Sequence, residues 1–203
     1  MPRTEAANQQ VRDEQRTRIL NGARAVFARR GLAATMAEVA AEARVSQGLA
    51  YRYFASKDDL YRALMREALQ SSVLPEPMSG SAAARLELLV SRMLEVRREH
   101  PEFVQIFYRV FSDLPAQSDL LDAARKRVDM VMKLMRSLIV EGQATGEVAS
   151  GDPDQLVTAF FAYLDGISRL ALIDPDRTRK HFPDTEIVLR MLRPPAKQKR
   201  SRR

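Results

Sequence analysis

Within the stretch VSQGLAYRYFASK, residues 45–57, Gln47, Gly48, Tyr51 and Arg52 offer hydrogen-bonding groups at a spacing that suits one helix face. With about 3.6 residues per turn, these four share one side while Ala50 and Phe54 share the other. A helix docked through Ala50 and Phe54 presents a carboxamide, a bare stretch of backbone, a phenol and a guanidinium. Such groups match base edges and phosphate oxygens in a major groove, so the implied chemistry is recognition of a polyanion and not bond making. Tyr53 and Leu49 sit on the flank of this face.

The elements that must hold this face are marked by capping signals. Thr35-Met36-Ala37-Glu38 is a capping box, opening a helix that runs through Val39 and Ala40 to about Ala43. Arg44 and Val45 follow as a turn, Ser46 caps the helix from Gln47 to Phe54, and Ser56 caps a third helix that Lys57 opens. Upstream, the pattern becomes helical at Asp13, with Ile19, Ala23, Val26 and Phe27 on one face and Gly31 as a stop. Residues 1–12 show no periodicity and read as a mobile leader, of which Arg3 is the one basic residue before Arg12.

Thr35, Val39-Ala40, Ala43, Val45-Ser46, Gly48, Tyr51, Tyr53-Phe54, Ser56-Lys57 and Leu60 together resemble the helix-turn-helix of the tetracycline repressor (TetR) family of bacterial regulators. The resemblance implies DNA contacts from Thr35, Ser46, Gln47, Gly48, Tyr51, Arg52, Tyr53 and Lys57. It also implies a homodimer reading a palindromic operator, a repressor more often than an activator, and a small apolar or amphipathic effector bound in the C-terminal part. The chain departs from the family pattern at two places. Arg44 stands where glycine is common, so the turn either takes a left-handed residue at some strain or bends differently. Leu49 stands where a small or hydroxylated residue is usual, which removes one phosphate contact.

Charge follows the same division. Of a net charge of +7, residues 1–72 carry 12 basic and 8 acidic groups, residues 73–193 carry 16 and 18, and residues 194–203 carry 5 and none. The excess lies in the head and tail, as expected if the head meets a polyanion and the body does something else. With 203 residues and 45% hydrophobic content the chain can build a real core. It has no cysteine, which excludes disulfides and thiolate metal sites and fits a reducing cytosol. The first thirty residues carry no secretory pattern, and the longest nearly apolar run, 156–164, is nine residues. That is short of the about 20 needed to span a bilayer, so a soluble cytoplasmic protein with no membrane partner is expected.

The remaining pattern is helical throughout, giving an all-α fold of about nine helices. A three-helix head at 13–56 leads into a connecting helix at 57–72. A proline-rich boundary, VLPEPMSGS, separates it from a larger helical domain for dimerisation and effector binding at 82–193, followed by a basic disordered tail at 194–203. The helix after Asp152-Pro153 is apolar on most of its circumference, and its surplus reads as a subunit interface. Leu156, Ala159, Phe160, Tyr163, Ile167, Ile187 and Leu189 are the interface candidates. Phe103, Phe107, Tyr108, Phe111, Met132, Met135, Phe161 and Tyr163 could line an effector pocket, although a solid helical core has the same composition.

Two histidines far apart, with no nucleophile or cofactor motif, give no reason to expect catalysis, a metal or a cofactor. The competing readings are an all-α enzyme using a cavity of the C-terminal domain, and a helical adaptor with a non-functional head.

Overall fold

Every regular element among the described residues, 5–70, 79–114 and 118–194, is helical in the computed structural model. The expectations for Arg3, for most of the proline-rich boundary and for the basic tail beyond Pro194 lie outside these residues. The helices are α1 (Glu5–Arg30), α2 (Met36–Glu42), α3 (Gln47–Tyr53), α4 (Lys57–Gln70), α5 (Ala82–Glu99), α6 (Pro101–Asp113), α7 (Asp119–Thr145), α8 (Pro153–Ile173), α9 (Pro175–Lys180) and α10 (Thr185–Leu189), with a 3-10 turn at Gly31–Ala33. The helix absent from the sequence reading is α9. Its six residues have no buried stripe, and it is set by its start, where the Asp174 carboxylate accepts from the Arg177 amide at 3.0 Å and Pro175 takes the first position.

The expected leader needs correcting, because residues 5–12 belong to α1. No apolar stripe marks this part. It is held by good helix formers and by side-chain pairs one turn apart, Gln9 to Asp13 at 3.1 Å and Gln10 to Glu14 at 3.0 Å.

The chain divides into two units, residues 1–71 with 102–125 and residues 72–101 with 126–203. The single domain expected at 82–193 is therefore corrected: most of α6 and the first turns of α7 belong with the N-terminal helices. In the first unit Ile19, Ala23 and Phe27 of α1, Val39 of α2, Ala50 of α3 and Leu60, Leu64 and Met65 of α4 share one core with Ile106, Leu120, Leu121 and Ala124. Two polar clusters add direction to this packing. Arg24 pairs with Glu67 at 2.7 Å while its guanidinium lies 4.1 Å from the Phe103 ring centre. Tyr61 donates to Asp113 at 3.0 Å, and Arg109, which neighbours the same carboxylate at 3.7 Å, donates to the Ala28 carbonyl at 3.2 Å. Burial and the Asp113 carboxylate together push the Tyr61 phenol well above its ordinary pKa, so it stays a donor. Such half-buried contacts bind α1, α4 and α6 more firmly than the about 0–1 kcal/mol of an exposed ion pair.

The turn between α2 and α3 settles the question raised by Arg44. Its φ is +55°, the left-handed conformation. The Val45 amide donates to the Ala40 carbonyl at 2.9 Å and the Arg44 amide to Ala41 at 3.1 Å, a Schellman close with Val45 packed on the core. Below it α1 crosses so near that a Cβ added at Gly22 would lie 2.7 Å from the Ala43 nitrogen.

In the second unit α5 runs antiparallel to α7. Arg85 pairs with Glu141, and a Cβ on Gly142 would lie 3.5 Å from that of Ala82. The α7–α8 hairpin turns at Gly146, φ +75°, and Arg136 meets Asp154 across it at 2.9 Å. The core joins Leu86, Leu89 and Met93 to Met135, Leu138, Phe160, Leu164 and Val188.

Three interface candidates need correcting here. Phe160, Ile167 and Leu189 face the chain's own core, at 0%, 7% and 7% exposure, because α8 and α10 turn their most apolar stripes inward. The surplus lies elsewhere, at Leu170, Leu172 and the 79% exposed Ile173. Among the described residues α8 is also long and apolar enough to cross a membrane by length and composition, with 22% of that stretch buried inside the chain. The nine-residue run understated it, because Asp165 and Arg169 interrupt the apolar pattern without ending the helix.

Gly22→Ala, which at an ordinary helix site stabilises, should here cost about 1–3 kcal/mol by forcing α1 from the Ala43 backbone. Arg44→Gly should raise stability by about 0.5–1 kcal/mol, the relieved left-handed strain being offset in part by a freer unfolded chain. Urea denaturation followed by circular dichroism measures both.

Candidate nucleic-acid interface

The short α3 cannot stand alone, since helices below about 12 residues are marginal in water. It is fixed at its start by Ser46, whose hydroxyl accepts from the Leu49 amide at 3.1 Å. It is fixed along its length by Ala50 and Phe54, both sunk in the first core. Arg16 of α1 closes over the Phe54 ring at 5.4 Å. With that face consumed, Gln47, Gly48, Tyr51 and Arg52 are left exposed on the other. A Cβ at Gly48 would meet nothing within 4 Å, so no packing within the chain requires glycine there.

The other DNA-contact candidates are placed less simply. Thr35 is exposed, and its side chain is engaged in the capping box: it accepts from the Glu38 amide at 3.2 Å, and its backbone amide donates to the Glu38 carboxylate at 2.9 Å. That backbone bond, helped by the Thr35 hydroxyl, holds the Glu38 carboxyl below its usual range. Tyr53 is half-buried against the core, and Lys57 donates from Nζ to the Leu32 carbonyl at 2.6 Å, tying α4 to the 3-10 turn. The eight candidates therefore form an open group of four on α3 with Ser46 at its start, flanked by Thr35, Tyr53 and Lys57, which also serve the local fold.

Basic side chains beside this face are mostly balanced. Arg29 pairs with Glu42 at 2.9 Å and Arg30 with Glu38, both exposed pairs. Arg44, exposed at the turn, adds a cation for which sequence spacing alone gave no direction.

The eight pocket candidates do not come together in one unit. Phe103 and Phe107 pack on the first core, with Phe107 edge-on to Tyr108 at 6.0 Å and to the exposed Phe111 at 5.6 Å. Met135 lies inside the second core, while Met132, Phe161 and Tyr163 pack against it half-buried. Of the interface candidates, Ala159 and Ile187 remain exposed and Leu156 and Tyr163 half-exposed, and a Cβ at Gly166 would meet nothing within 4 Å. Sequence reasoning missed the Arg24–Glu67–Phe103 and Tyr61–Asp113–Arg109 clusters, whose partners are too far apart in the chain for any spacing rule. Among the described residues no group of three or more metal-binding side chains occurs.

Residues 19–64 match the family model for bacterial regulatory proteins of the tetR family, and residues 79–169 match the tetracyclin repressor-like C-terminal domain. The chain is 25% identical over 181 residues to the HTH-type transcriptional regulator TtgR of Pseudomonas putida, covering 80% of this chain and 82% of that one. It is 32% identical over 141 residues to the transcriptional repressor KstR of Mycobacterium tuberculosis, covering 66% and 60%. In fold it resembles the MbdR regulator from Azoarcus sp. CIB, with a TM-score of 0.70 at 23% identity over 86% of this chain and 94% of that one. The two family models between them span more than half of the chain, one of them on the helices that hold α3 in place, and the chain belongs to the TetR family of transcriptional regulators.

Proposed function

We propose that the protein works as a homodimeric repressor whose two α3 helices enter successive major grooves of a palindromic operator, and that a small apolar or amphipathic effector bound in the C-terminal domain releases it. The observation that carries this reading is the division of α3, with Ala50 and Phe54 buried and Gln47, Gly48, Tyr51 and Arg52 exposed. Gln47 at the start of the helix suits the adenine edge, and Arg52 suits guanine or phosphate. Half-sites spaced by about one helical turn, ~34 Å, or a multiple follow from two-fold symmetry. The KstR relative is itself called a repressor.

Two further features support the assembly and the release. The small residues Ala159, Ala162 and Gly166 leave one side of α8 open to close approach, and Leu170 and Ile173 extend it with exposed apolar surface. A second copy of α8 is the simplest cover for a face of that kind. Release is supported by the bonds from α6 to α1 and α4, through Asp113 and Tyr61 and through Phe103 and Arg24. A displaced α6 would pull α4, and with it the support of α3.

Tyr51→Ala and Arg52→Ala should each weaken operator binding by about ten- to a hundredfold in a gel-retardation titration, with thermal stability held. Gly48→Ala should leave stability unchanged or raise it by up to about 1 kcal/mol while reducing operator affinity, because the methyl group has room in the protein and none against a base pair. If operator binding by both the α3 variants and Gly48→Ala equalled that of the original chain, the assignment of α3 would be wrong. Gly166→Arg should yield monomers in sedimentation velocity, with weaker and less cooperative operator binding.

A further inference from the structure

Two arginines interrupt the buried stripes of α5 and α7. On α5, Leu86, Val90 and Met93 lead at helical spacing to Arg97; on α7, Leu138, Met135 and Val131 lead to Arg127. The contacts of Arg85 with Glu141 and of Ala82 with Gly142 fix the antiparallel register of these helices. Stepping forward along α5 and back along α7 from those contacts brings Arg97 level with Arg127. Across the α7–α8 hairpin, the bond from Arg136 to Asp154 places Tyr163 at the same level.

Neither guanidinium is free in water. Arg97 folds back to donate from Nη1 to the Met93 carbonyl at 3.1 Å, and its Nε is shut off from solvent with no hydrogen-bond partner. Arg127 is half-buried, and loss of hydration lowers its pKa. Neighbouring arginines on the outer side of α5 find carboxylates, Arg92 with Glu95 at 2.6 Å and Arg98 with Glu99 at 3.3 Å. The acidic residue nearest this level on α8 is Asp165, half-buried and itself engaged. A single carboxylate set against two cations leaves one positive charge in a place where charge is costly.

We infer that Arg97 and Arg127 form the head-group end of an effector site within the second unit, and that the effector is an apolar molecule bearing one carboxylate. A planar carboxylate suits guanidinium donors in geometry, and a single negative charge balances the excess. The half-buried Met132, Phe161 and Tyr163 supply apolar and polarisable surface around the same segment of α7 and α8. The inference rests on the proposal that this unit binds an effector, and it narrows that effector to an acid.

The test is isothermal calorimetry on the full chain without DNA, using decanoate and 4-phenylbutyrate against 1-decanol and decyltrimethylammonium, all below micelle formation. At least one carboxylate should saturate the protein while the neutral and cationic probes do not. Arg97→Gln and Arg127→Gln should each weaken that binding at least about tenfold, Arg97→Lys should retain part of it, and Arg92→Gln should leave it unchanged. Circular dichroism confirms folding; should Arg97→Gln unfold, Arg127→Gln and Arg97→Lys carry the comparison.

Equal binding of 1-decanol, binding of neither carboxylate, or carboxylate binding indifferent to both arginines would overturn the inference. Gel retardation of the same samples separates the two readings. Operator binding without carboxylate binding sinks this inference alone, and carboxylate binding by a chain that binds no DNA sinks the repressor reading instead.

Discussion

Everything at the interface depends on keeping Ala50 and Phe54 out of water. A seven-residue helix has too few internal hydrogen bonds to persist by itself, so its orientation is borrowed from the packing beneath it. Alanine and phenylalanine divide that task. The methyl group of Ala50 lets α3 lie close on its neighbours, and the Phe54 ring, covered by Arg16, anchors its far end. Rotation of α3 would expose the ring and bury a guanidinium or a phenol in its place, which the free energies of transfer forbid. The direction of Gln47, Tyr51 and Arg52 is therefore a by-product of apolar packing.

The same logic extends outward. The left-handed Arg44 closes α2 so that Val45 can reach the core, and the glycine at position 22 lets α1 come near enough to receive it. From α1, two clusters of charge and aromatic rings continue to α4 and α6, so that a helix distant in sequence is part of the support of the head. In the second unit, α8 is divided between a stripe consumed by the core and a stripe left bare.

The head was legible in the sequence because its signals are local: a capping box, two serine caps and an apolar pair four residues apart all lie within one short run. The same holds for the openings of the helices at Pro101 and Pro153. What was not legible arises from distance or from symmetry. Nothing near Phe103 announces that it lies against Arg24, so α6 was assigned to the wrong unit. The stripes of α8 are similar in apolar content, so composition could not say whether Phe160 or Ile173 faced inward; only the packing of α5, α7 and α10 decides it. The first turns of α1 were missed because a helix that buries nothing leaves no periodic trace, and α9 because six residues are too few to show one.

Gly48 and Gly166 are the two places where added atoms would meet empty space within the chain. A laboratory selection for heat resistance alone would find both, since alanine improves a helix that need do nothing but fold. Under that pressure the molecule would grow hardier and fall silent, its vacancies filled by its own methyl groups. Thermal ruggedness and responsiveness are thus opposed at these two residues, and the opposition comes from sterics alone.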